Sequence, residues 1–142
     1  MMSDYVKYSS MSEGDDFLDP VPSFEVTKEC VDKYIKSTND STKELTVDDE
    51  QGRRVAPPML AAVYVIDALR TRVGPPGGIH AKQQFKFHRP AYVGETLFTS
   101  ARVVKLYERK GRNYVEMTTE TRNQEGELIT SGIITRIWGK EA

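Results

Sequence analysis

"APPMLAAVYVIDAL", residues 56–69, decides the fold. Two prolines stand near its start, where a missing N–H costs a helix least. From Met59 to Leu69 only Asp67 is charged, and the apolar residues go nearly all round the helical wheel. A helix apolar on every side has to be covered on every side. The run continues through "RTRV" and reads as one long helix, stopped by "GPPGG" at residues 74–78.

Everything after that stop reads as strand. "IHAKQQFKFH", residues 79–88, alternates. The alternation puts Ile79, Ala81, Phe85 and Phe87 on one face, and His80, Lys82, Gln84, Lys86 and His88 on the other. "TLFTSARVVKLYER", residues 96–109, alternates too, with a phase shift at Val103–Val104 that signals a bulge. "KGRN" and "NQEGE" are hairpin turns on either side of "YVEMTTETR", and "LITSGIITRIW" closes the set. The class is therefore α+β: a curved antiparallel sheet of at least four strands wrapped around a long central helix. One sheet cannot enclose such a helix fully. The uncovered remainder and the open sheet edge predict a dimer.

Upstream, "SFEV" is a short strand and Thr27 is a helix N-cap. "KECVDKYIKST" then places Cys30 or Val31, Tyr34 and Ile35 on one face, and Asn39 ends the helix. Residues 40–55 are polar, without period, and contain a Gly52-Arg53-Arg54 turn. A loop this long in a small domain is usually functional or mobile. Residues 1–20 are acidic and aperiodic, and read as a flexible tail or a strap ordered by a partner. Residues 21–142 form the single domain.

Composition excludes several functions. Lys+Arg 20 against Asp+Glu 21 gives a net charge of -1, which lacks the concentrated positive surface that nucleic acid demands. One cysteine, Cys30, leaves no internal disulfide framework. His80 and His88 are the only histidines, and no acid or Cys cluster has ligand spacing, so no metal site is expected. No leader and no bilayer-length apolar run is visible, so a cytoplasmic protein without membrane contact is expected.

Three segments carry a resemblance. "FEVTKECVDKYIKSTND", "APPML" and "FKFHRPAYVGETL" resemble the marker segments of MaoC-like hot-dog proteins. The chain is most similar to the N-terminal-type (FAS1-like dehydratase) domain and to the non-catalytic subunit of heterodimeric 3-hydroxyacyl-thioester dehydratases. The resemblance implies reversible hydration of a 2-enoyl thioester, carried on coenzyme A or an acyl carrier protein, with no other cofactor. Catalytic members hold the water with an Asp and, shortly after it, a His, acting as general base and acid. N–H groups at the start of the central helix polarise the thioester carbonyl.

Under that resemblance, "STNDSTKEL", residues 37–45, is the catalytic loop or its remnant. Asp40 matches the catalytic Asp, while the His position is Leu45, which carries no proton. An acid just past a helix end is otherwise a solvated surface group. The substrate-binding candidates are Pro58, Met59, Leu60, Val63 and His88, with Met59 and Leu60 offering the first free N–H groups. Arg89 is expected to pair with an acid or to meet a coenzyme A phosphate. Asp67 is expected at a dimer contact or in a helix-end ion pair. Gly132 is expected where backbones approach closely, such as helix against sheet.

The leading expectation is a substrate-stabilising subunit of a hydratase or dehydratase. It would work as a heterodimer or heterotetramer with a catalytic hot-dog subunit, or as a homodimer. The alternatives are a self-sufficient hydratase using Asp40 with Glu44 or His88, a hot-dog thioesterase, or a non-enzymatic acyl-thioester binding module.

Overall fold

The computed structural model describes residues 5–39 and 42–141. Its strands are β1 (Ser23–Glu25), β2 (Ile79–Phe87), β3 (Thr96–Arg109), β4 (Arg112–Asn123) and β5 (Leu128–Trp138). They form one antiparallel sheet in the order β1-β3-β4-β5-β2. Helix α1 spans Lys28–Thr38. Helix α2 spans Ala61–Leu69, after a 3-10 turn at Pro58–Leu60.

Strict alternation buries Leu97, Thr99, Ala101 and Val103 of β3, and Val115, Met117, Thr119 and Thr121 of β4. This inner face packs on α2, which buries Ala61, Tyr64, Val65, Ala68 and Leu69. Those positions fall at helical spacing and define one stripe. Each full-sized apolar side chain in the stripe contributes about 1.5–3 kcal/mol when fully buried. The architecture is a hot-dog fold, α+β, with the sheet curled around a central helix.

The helix is shorter than its apolar run suggests. It stops at Leu69, with Arg70 as its C-cap, and residues 71–78 are turn and loop. It is also not covered all round: Ala62, Val63 and Ile66 are half-buried and Asp67 is exposed. Asp67 pairs across one turn with Arg70 at 4.0 Å.

Several local expectations are met. The Thr27 side chain accepts from the Cys30 amide, and Asn39 ends α1 in the left-handed region at φ 54°. The β3 register shifts between Val103 and Lys105. Strand β2 differs. A bulge at Ala81 shifts its register between His80 and Lys82, so the simple alternation fails there. His80 pairs with Arg136 and Gln83 with Ile134, which places His80 on the face of Phe85 and Phe87 and turns Ile79 to the other. Gly132 does sit at a close approach, but to β2 rather than to the helix: a Cβ there would lie 2.5 Å from the Gln84 carbonyl oxygen.

Residues 5–20 lie along the chain's own sheet. The Phe17 amide donates to the Ala101 carbonyl at 2.8 Å, and the Val103 amide to that of Asp15 at 2.9 Å. Val6, Met11, Phe17 and Leu18 are buried, and the Trp138 indole donates to the Val6 carbonyl at 2.7 Å.

Candidate functional site

A cavity of about 280 Å³ opens where the first turn of α2 meets the end of β2. Its walls are apolar: Val55, Ala56, Pro57, Pro58, Phe87 and Ile129 contribute to it, with Pro90 and Ala91. His88 and Arg89 stand on its outer side, and Tyr64 and Thr130 on its buried side. A concave apolar site with a few polar groups is the usual form of a small-molecule pocket.

Two loops shape this cavity. In residues 88–95, the Glu95 carboxylate accepts from the Tyr92 amide at 2.7 Å, from Asn123 Nδ2 at 2.9 Å and from Arg89 Nη1 at 3.2 Å. Glu127 adds a second carboxylate to Arg89 at 3.7 Å. Arg89 is therefore committed to acids. In residues 42–55, the buried Arg54 guanidinium donates to the Leu45 carbonyl from Nε (3.1 Å) and Nη2 (3.0 Å), and pairs with Asp32 at 2.6 Å. The two loops join through Ala56 N–H to Ala91 O (2.8 Å) and Val93 N–H to Arg54 O (2.9 Å).

Of the sequence-derived substrate candidates, Pro58 and His88 line the cavity. Leu60 is a core residue at 1% exposure, Met59 is exposed at 47%, and Val63 is half-buried; none of the three is among the lining residues. The Leu60 amide is not a free donor either, because it bonds the Pro57 carbonyl at 2.9 Å inside the 3-10 turn. A tight turn with two prolines leaves little of the donor end that an ordinary helix start presents. Asp40 lies outside the described residues. Leu45 is half-buried against the hydrophobic core, and Glu44 is exposed. His88 Nε2 and Ser131 Oγ are hydrogen-bonded at 2.8 Å.

Sequence reasoning missed three side chains that shape the site. Arg54 passed for part of a polar turn. Tyr64 passed for one more core residue. Thr130 falls in the strand "LITSGIITRIW" with nothing to single it out. The only available signal was a hydroxyl set among aliphatic neighbours. Tyr64 OH and Thr130 Oγ1 meet at 2.5 Å, and burial pushes the Tyr64 pKa up, so the phenol keeps its proton.

Sheet, helix and cavity together define a hot-dog protein. Residues 14–131 match the family described as "FAS1-like, dehydratase domain region", and the chain belongs to that family. It is 26% identical over 123 residues to a UPF0336 protein of Saccharopolyspora erythraea, covering 78% of each chain. Its fold is similar to that of the R-hydratase PhaJ1 from Pseudomonas aeruginosa, with TM-score 0.82 and 19% identity over 96% of this chain and 88% of that one. It is also similar to a chain of the HadBC (3R-hydroxyacyl-ACP dehydratase) complex from Mycobacterium tuberculosis, with TM-score 0.72 and 20% identity, covering 90% and 98%.

Proposed function

We propose that this chain is the substrate-holding subunit of an enoyl-thioester hydratase or 3-hydroxyacyl-thioester dehydratase, and that a hot-dog partner supplies the catalytic histidine. The observation that carries this reading is Leu45. Where the resemblance expects a histidine, an aliphatic side chain packs against the core. The reaction adds hydroxyl to C3 and a proton to C2 of the enoyl group, or the reverse. Leucine neither takes nor gives that proton. The cavity suits the acyl chain, and His88 and Arg89 mark the side from which a coenzyme A or carrier-protein handle enters.

A partner also fits the free edge of β2. Phe87 (45% exposed) and Ile79 (47%) stand on opposite faces of this edge strand, and Ile133 (40%) lies on the neighbouring β5. Unpaired strand edges with apolar side chains are covered in stable proteins. The HadBC complex, a similar fold, is an assembly of this kind by its own name.

The test is a calorimetric titration with crotonyl-CoA and with free coenzyme A. Burial of a short acyl chain, at about 0.8 kcal/mol per methylene-sized group, should tighten binding of the thioester by tenfold or more. Equal affinities would show that the acyl chain finds no site, and would overturn the reading. A second reading rests on His88, an imidazole among the lining residues. If the chain hydrates crotonyl-CoA alone and His88→Ala abolishes this, the protein is a self-sufficient hydratase.

A further inference from the structure

The cavity has a feature that an aliphatic chain does not use. Its buried side holds two hydroxyls, on Tyr64 (3% exposed) and Thr130 (2% exposed), in contact with each other at 2.5 Å. Two hydroxyls carry two protons, and their mutual bond consumes one. Among the described residues neither side chain has another hydrogen-bond partner. The other O–H is left to an acceptor that enters the cavity, water or a ligand. Leaving such a buried donor unmet is costly. Phenylalanine and valine would fill the same space without that cost.

We propose that Tyr64 and Thr130 select acyl chains bearing an oxygen acceptor, such as a keto group, several carbons beyond the thioester. The proposal rests on the function proposed above. The direction of entry follows from the cavity itself. The exposed His88 and the half-buried Arg89 lie on the outer side, so the thioester handle stays there and the far part of the chain meets the hydroxyl floor. An oxygen arriving at the floor accepts the spare proton. A plain chain leaves the donor unmet and also expels any water that served it. Burial keeps the Tyr64 phenol protonated, so the pair retains both protons at neutral pH.

The experiment compares hexanoyl-CoA with 4-oxohexanoyl-CoA and 5-oxohexanoyl-CoA by calorimetric titration of the full chain. Wild type should bind at least one oxo chain about tenfold more tightly than hexanoyl-CoA, the ratio expected for one well-made hydrogen bond. Either hydroxyl alone can still donate, so single variants should keep part of that ratio. The double variant Tyr64→Phe/Thr130→Val should bring it to about one. Thr121→Val, which breaks the other buried hydroxyl pair (Thr99 with Thr121, 2.8 Å) away from this cavity, should leave the ratio unchanged. Hexanoyl-CoA binding with no preference for either oxo chain overturns the floor proposal and spares the functional reading. A preference that survives in the double variant also overturns the proposal. Failure of every thioester to bind overturns both.

Discussion

The two loops that flank the cavity are held in different ways. Residues 88–95 are fixed by a shared carboxylate: Glu95 binds a backbone amide, the buried Asn123 amide and the Arg89 guanidinium together. Residues 42–55 are held by the buried Arg54 guanidinium, which grips the Leu45 carbonyl and Asp32, and by the Asp49 carboxylate, which accepts from the Gln51 and Arg53 amides. The first loop supplies cavity wall through His88, Arg89, Pro90 and Ala91. The second supplies wall through Val55 and carries Leu45, where the resemblance expects a histidine. The anchor of the first loop is an acid shared among three donors, and that of the second is a cation shared between a carbonyl and an acid.

Substitutions break or sharpen this contrast. The largest effect should come from Glu95→Ala, which leaves Arg89 and the buried Asn123 amide without their shared acceptor. A loss of about 3 kcal/mol in unfolding free energy is expected from denaturant titration, together with weaker thioester binding. Arg54→Met keeps the stem's packing but frees the Leu45 carbonyl and Asp32. It should cost about 2 kcal/mol. It should also raise hydrogen exchange within residues 42–50 selectively, while residues 88–95 stay protected. If the two variants loosen both loops equally, the contrast is wrong.

A smaller effect belongs to the far end of β2. Burial, and then the Arg136 charge opposite it, push the His80 pKa below its ordinary 6.5. The unfolded chain therefore binds this proton more readily than the folded one. Stability from this group is full above about pH 6.5 and falls as the pH drops toward the folded-state value. His80→Gln should flatten that part of a stability profile between pH 7 and 5, without touching acyl binding. The smallest effect should be Asp67→Asn. Its partner Arg70 sits at 4.0 Å with both side chains exposed, so the change should stay within about 0.5 kcal/mol in thermal unfolding.

Much of the fold was legible because it rests on period. The β3–β4–β5 alternation, the Val103 bulge, the Thr27 cap and the Asn39 stop all follow from local chemistry. The Ala81 bulge was not legible, since "IHAKQQF" alternates well enough to hide one extra residue. The early end of α2 was hidden as well. "RTRV" reads as a further turn of helix, but the apolar run itself ends at Leu69, and α2 ends with it. The site was less legible than the fold. Pro58 and His88 sit in recognisable segments, but Arg54, Tyr64 and Thr130 act through partners 9 and 66 residues away, which no local pattern encodes. Leu60 failed as a donor because the prolines that mark the helix start also force the turn that uses its amide.

The central claim is that this chain holds an enoyl thioester without turning it over. The most direct measurement is loss of the enoyl-thioester absorbance of crotonyl-CoA with the purified chain alone, beside its Asp40→Ala variant. Crotonyl-CoA that binds and is not hydrated by either protein is the predicted result. Hydration by the wild-type chain that disappears with Asp40→Ala would contradict the account, and would make residues 37–45 a working catalytic loop.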